Sequence, residues 1–360
     1  MTTIAFHSNQ LSLQGTEVAL YDYAHFSETL LGHRSVVVYD QSSPHNHPAA
    51  LQKFANRFTV LGYTQRSELD GLLTRHGVNM LYAIKSGKRD GLISQVVPTM
   101  VHAVFPTSLS QVHGSAYAYI SEWLSWHCSH QRVPCVPHIV HLPAVSGDLR
   151  DTLGIPADAL VVGGYGGAGS FDVPAAIHGL QQALAQRPDL HAVFLNIAPF
   201  VQHDRVHFLP GSPDMAQKAR VIHTCDAMLH ARLQGESFGL ACGEFSICNK
   251  PVITYRHGKH THHIDILGPK GFYYDDAASL VRILMQMDRS DLPTHHWDCY
   301  SVRYNPQTVM AQFDRHLIQP ALAHGMRPLQ VQVGWRDHMH YLRFKLSMKP
   351  PLAFLREPTP

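Results

Sequence analysis

The chain has 360 residues, more than a single hydrophobic core usually organises, so two domains are expected. A 45% hydrophobic share fits a soluble globular protein, and a net charge of +2 with no basic block among aromatics argues against a general nucleic-acid binder. The 28 histidines imply a surface that gains positive charge as pH falls through about 6.5. Cys128, Cys135, Cys225, Cys242, Cys248 and Cys299 form no C-x-x-C pair. With no signal peptide, the expectation is a reducing, cytoplasmic setting. No apolar run reaches the roughly 18 residues of a spanning helix.

In chain order, strand-like runs are predicted at 3–7, 35–40, 58–63, 79–84, 99–105 and 116–120. Helix-like segments at 15–31, 48–57 and 66–77 separate the first four. This alternation predicts right-handed crossovers and a parallel sheet. From 132 to 156 the text becomes rich in proline and glycine, with one strand-like run at 138–142, and the domain boundary is expected there. Strand-like runs then resume at 159–163, 191–197, 206–209, 227–231, 251–255 and 271–274. Helices are predicted at 173–186, 214–223, 238–248, 277–287 and 308–323. The expected division is 1–145, 146–305, a helix at 306–325 returning to the first domain, and a tail at 326–360. That tail mixes bulky apolar residues with bases; a loosely packed end or a weak membrane-surface or partner contact both fit.

Three motifs carry candidate chemistry. "GGYGGAGSFD" holds Gly164, Gly166 and Gly169 in a G-x-G-x-x-G pattern between a strand and a helix. A dinucleotide site also wants an acid closing the next strand, where this chain has Asn196. A turn letting a phosphate approach the backbone at Gly166 and Gly167 stays open. In "SNQLSLQGTEVALYDYA", Gly15 precedes an apolar-periodic helix with Thr16 as expected N-cap, and the first-turn amides would point towards a cleft. Taken alone, the stretch reads first as an ordinary strand-to-helix turn.

The third is "GESFGLACGEF". With a helix starting near Phe238, Glu236 falls in the loop before it, and Glu244 lies roughly 9 Å along the axis from Phe238. The amides of Phe238, Gly239 and Leu240 would form an anion site between the two acids. A diphosphate at the amides, with sugar hydroxyls at the acids, suits that order of groups. An amphipathic helix with two solvated glutamates is the alternative.

Residues 226–255 resemble the donor-binding signature of retaining GT-B glycosyltransferases, particularly glycosyltransferase family 4. The shared features are Glu236 and Glu244 in an E-x7-E arrangement, Phe238-Gly239 at the helix start, and the following "NKPVI" strand. The resemblance implies an α/β fold of two Rossmann-like, doubly wound parallel-sheet domains facing across a cleft. It implies a metal-independent, retaining transfer of a sugar from a nucleotide-diphosphate donor, UDP- or GDP-linked, to an acceptor hydroxyl of a glycan, glycoconjugate or small molecule. No cofactor, metal or nucleic acid is implied.

Carried over residue by residue, Glu236 would contact the transferred sugar and Glu244 the ribose. The amides of Phe238, Gly239 and Leu240 would hold sugar and diphosphate, and Gly15 would let the first-domain loop approach the phosphates. His102 would reach the donor sugar. The family's Arg and Lys near the Gly-rich turn are missing, so Arg232 and Lys218 are the nearest basic candidates for the diphosphate. His257, His260, His262 and His263 read as a mobile histidine-rich loop rather than a zinc site. A nucleotide-sugar-binding protein without transferase activity and, further off, a nicotinamide-dependent oxidoreductase are the alternatives.

Overall fold

The computed structural model describes residues 2–349. The chain forms two compact units, one running to Ile139 and resuming at Tyr304, the other comprising Val140–Arg303.

In the first unit, β1 (Thr3–Ser8), β2 (Arg34–Asp40), β3 (Thr59–Tyr63), β4 (Met80–Lys85), β5 (Thr99–Ala103) and β6 (Ala116–Tyr119) form one sheet. All pairs are parallel and the order is β3-β2-β1-β4-β5-β6. The central strands β1 and β4 are buried along their whole length, which is why they read as unbroken apolar runs. One face packs Ala5, Val36, Val38, Leu69, Leu73 and Leu81. On the other, Phe313 of the helix Pro306–Phe313 stacks on Tyr23, with ring centres 5.0 Å apart, and meets Tyr82 at 5.2 Å. That helical run continues through a π segment, Asp314–Ile318, to Gln319–His324. A helix at Trp335–Ser347 follows.

In the second unit, β7 (Leu160–Tyr165), β8 (Leu190–Leu195), β9 (Val206–Leu209), β10 (Ala227–His230), β12 (Val252–Tyr255) and β14 (Phe272–Tyr274) build a second parallel sheet. Its order is β14-β12-β10-β7-β8-β9. A two-strand ladder outside it joins β11 (Gly235–Glu236) to β13 (His260–Thr261). The core gathers Leu160, Val162, Leu180, Phe194, Ile253 and Leu280. Gly179 lets the helices Pro174–Gln186 and Ala277–Gln286 meet closely, since a Cβ there would lie 3.0 Å from the Ala277 carbonyl.

Three local expectations change. The run at 138–142 forms no strand; the nearby chain makes only an isolated bridge between Tyr119 and Cys135. Pro134, Pro137 and Pro143 lack the amide hydrogens a ladder needs. The first helix starts at Gly15 with Gln14 as N-cap, not Thr16. The helix expected at 238–248 is Leu240–Ile247, because Gly239 adopts φ 88°, ψ 58° and ends the irregular entry. Among the described residues no helix is long and apolar enough to cross a membrane.

Candidate functional site

In the second sheet the strand order reverses between β7 and β10, and a crevice opens outside the carboxyl ends of strands at such a point. β7 ends at Tyr165 and runs into the turn Gly166-Gly167. Gly166 has no room for a side chain, because a Cβ would lie 2.0 Å from the Ser170 hydroxyl, whereas Gly167 is exposed with open space beside it. Asn196, in the left-handed region at φ 57°, donates its side-chain amide to the Gly166 carbonyl at 2.6 Å. The residue standing where a dinucleotide site wants an acid thus ties down the Gly-rich turn.

β10 ends at His230, and the chain then turns through Arg232 into β11. Gly235, at φ 63°, pairs with His260 so closely that a Cβ would lie 2.0 Å from the His260 carbonyl oxygen. This contact places Glu236, the next residue. Arg232 Nη1 donates to Glu236 Oε1 at 2.8 Å, and His230 Nε2 lies 3.5 Å from the same oxygen. Burial raises the carboxyl pKa, but the His230 hydrogen bond and the Arg232 charge outweigh it and hold the pKa at about 2. Behind it, Thr254 Oγ1 lies 2.8 Å from His230 Nδ1 and 3.0 Å from His263 Nε2. These contacts form one chain from His263 through Thr254 and His230 to Glu236, which as a carboxylate only accepts. Glu236 is therefore a fixed anion, a quarter of its side chain open to solvent.

Glu244 is different. It lies on the helix Leu240–Ile247 with its side chain 1% exposed. Lys218 Nζ, from the helix Met215–Thr224, donates to Oε1 at 2.7 Å, and the Tyr165 hydroxyl donates to Oε2. Burial and the Glu244 carboxylate both push the Tyr165 hydroxyl well above the ordinary phenol range, so it stays a donor. Lys218 also lies over the Tyr165 ring, 4.9 Å from its centre. At the helix start the Phe238 side chain is buried against Tyr300, with ring centres 5.9 Å apart, so only its backbone can serve a ligand. Gly239 fits tightly: a Cβ would approach the His263 Cβ to 2.8 Å. Leu240 opens the helix and is partly exposed. The small residue Gly243 accommodates the Tyr300 ring, which a Cβ would meet at 2.7 Å.

The structure thus brings Gly166, Gly167, Lys218, Arg232, Glu236, Phe238, Gly239, Leu240 and Glu244 into the second unit. Arg232 and Lys218 already hold carboxylate partners. Arg232 uses one of its five N–H donors on Glu236 and is 40% exposed; Lys218 is almost wholly buried on Glu244.

Gly15 and His102 belong to the first unit. Gly15 opens its helix with open space beside its Cα. His102 is fully buried, its Nδ1 2.7 Å from the Tyr82 hydroxyl and its Nε2 2.8 Å from the Val136 carbonyl. Burial lowers its pKa to about 4, and neither nitrogen is left to offer a ligand. It has the surroundings of a hydrogen-bonded core histidine.

The histidine-rich stretch also differs from a mobile loop. His260 lies in β13, His262 and His263 open the helix His262–Leu267, and all three are buried; His257 is exposed beside Asp275 at 2.9 Å. Among the described residues no group of three or more His, Cys, Asp or Glu is placed to hold a metal ion.

The sequence motifs do not include Tyr165, His230 or Thr254, and they place His263 only in a histidine-rich loop. The available signal was position, since Tyr165 and His230 are the last residues of the two strands flanking the reversal. Glu17 was also missed. It is buried near the end of β1, where it accepts from Ser8 at 3.1 Å and Ser12 at 2.5 Å, and burial raises its pKa.

No family model and no curated protein sequence matches the chain. Among solved structures, HepE from Anabaena, crystallised with UDP and glucose, is 17% identical at a TM-score of 0.65, covering 88% of this chain and 99% of its own. A glycosyltransferase from Rickettsia africae is 10% identical at a TM-score of 0.59, with 89% of this chain and 96% of its own covered. The MnaA–UDP structure from S. aureus is 11% identical at a TM-score of 0.59, with 90% and 98% covered. The chain has the GT-B fold, with two Rossmann-like parallel sheets.

Proposed function

We propose that the second unit binds a nucleoside-diphosphate sugar outside β7 and β10, and that the protein transfers the sugar to an acceptor hydroxyl. The observation that carries this reading is Glu236, a carboxylate kept ionised and quarter-open at the strand-order reversal, three residues before the backbone amides of Gly239 and Leu240 at a helix start. The solved structures of HepE with UDP and glucose and of MnaA with UDP lend support, as proteins of the same fold that hold such ligands.

In this reading Glu236 accepts hydrogen bonds from the hexose hydroxyls. The amides of Gly239 and Leu240 and the unused donors of Arg232 meet the diphosphate as negative charge develops on it. The sugar C1–oxygen bond to the β-phosphate breaks and a bond from the acceptor oxygen to C1 forms. The acceptor proton passes to the departing phosphate, which leaves on the same face, so the anomeric configuration is retained. A carboxylate with a pKa of about 2 is a poor proton donor and a weak base, which assigns Glu236 to binding and charge stabilisation rather than proton transfer. Glu244 meets the ribose once Tyr165 gives up its oxygen. Donor sugars linked to UDP or GDP are the expected co-substrates, and the first unit supplies the acceptor side.

A binding protein without turnover is the second reading. It is favoured by one observation: both basic candidates for the diphosphate are already paired with carboxylates. A thermal-shift panel of UDP, GDP, ADP, their sugars and NAD, followed by donor-hydrolysis and transfer assays on each hit, separates the readings. A sugar nucleotide that raises Tm and turns over supports transfer. Stabilisation without turnover favours the second reading, and stabilisation by NAD alone defeats both.

A further inference from the structure

We infer that the helix Trp335–Ser347 is a docking surface for an anionic lipid membrane. One side of this helix is committed to the first unit. Phe344 stacks on His127 at 4.7 Å and meets Trp123 edge-on at 5.2 Å, and the Tyr341 hydroxyl donates to the Pro106 carbonyl at 3.0 Å. The helix's one acid, Asp337, accepts from Arg132 at 2.9 Å.

The opposite side carries a second apolar stripe. Trp335, Met339 and Leu342 are 71%, 54% and 48% exposed. At 100° per residue, spacings of four and three put them within an arc of about 60°. Arg336 and Arg343 border the stripe on one side and Lys345 on the other, all exposed, and exposed Lys349 follows the helix end.

A helix built only to cover the first unit needs one apolar face. This one has two, and the outward one has bases on both flanks while its acid is already paired on the inward side. A Trp-Met-Leu stripe between Lys and Arg is the composition that lies in a membrane interface, the apolar groups entering the headgroup boundary and the bases meeting lipid phosphates. The charge pattern therefore selects a negatively charged lipid surface over a neutral one.

The test is co-sedimentation of the full chain with phosphatidylcholine vesicles and with vesicles containing about one third phosphatidylglycerol, at low and high salt. Two variants accompany it, M339E/L342E and R336E/K345E, whose altered side chains are on the exposed face and whose Tm should match the wild type. Sedimentation with anionic but not neutral vesicles, weakened by salt and reduced on the order of tenfold in each variant, is the expected result. Failure to sediment with anionic vesicles, or unchanged binding by both variants, overturns the inference. So does concentration-dependent dimerisation that M339E/L342E abolishes with no vesicle binding, which assigns the stripe to a second copy of the chain.

Discussion

Glu236 and Glu244, eight positions apart, are each paired with a cation but differ in exposure. Arg232 and His230 hold Glu236 ionised and partly open, whereas Lys218 and Tyr165 enclose Glu244. The stabilisation from Glu236 pairing is complete above the ordinary carboxyl pKa of about 4.5 and is lost as pH falls towards 2. On the proposed function, the Tyr165 hydroxyl competes with a ribose for Glu244. Tyr165→Phe removes one of the two donors to that carboxylate, leaving Lys218, and is expected to tighten nucleoside-diphosphate binding about three- to tenfold by calorimetry, the worth of about one hydrogen bond. Unchanged affinity would leave Glu244 a structural anchor. Removing the cation has the opposite character: Lys218→Ala strands a buried carboxylate and should cost about 3–5 kcal/mol of stability in urea unfolding. The double variant Lys218→Met/Glu244→Gln should recover much of that loss, and no recovery would mean the pair is not coupled.

At the scale of elements, the central strands and the helices between them were legible because burial on both faces leaves unbroken apolar runs, as in β1 and β4. The two-residue strands β11 and β13 were not. Neither Gly235-Glu236 nor His260-Thr261 has a length or pattern that announces pairing, and their ladder depends on Gly235 at φ 63° meeting a segment 25 positions away. The same contact explains why the histidine-rich segment is ordered. Gly239 is expected from the sequence to offer its backbone amide, and its conformation matters as much. At φ 88° with His263 close by, Gly239→Ala is expected to destabilise the second unit by about 1–3 kcal/mol and weaken donor binding together with it. A Tm within a degree of wild type would show that the helix start tolerates a side chain.

Across the whole molecule a subset of the histidines acts from inside. Most lie outside the core, where they charge the surface in acid, but His7, His102 and His263 are fully buried, with pKa values lowered by burial to about 3, 4 and 3. Their unfolded forms titrate near 6.5, so between there and the folded values the unfolded chain binds more protons. Stability is therefore full above about 6.5 and falls as pH drops, each group contributing up to about 1.4 kcal/mol per pH unit. Thermal unfolding from pH 7.5 to 4.5 should show a steep, continuous fall in Tm; a flat profile to pH 5 would mean these rings are not held neutral. Composition alone could not place these residues, because burial depends on which strand and helix faces meet.

On the proposed function, Glu236 serves the transferred sugar rather than the nucleotide. It is tested most directly by measuring turnover of the activating sugar nucleotide and the Kd of the matching free nucleoside diphosphate for wild type and Glu236→Gln. The expected result is a fall of about 100-fold or more in kcat with the Kd changed less than about threefold. Equal loss of both, or turnover that survives the substitution, would contradict it.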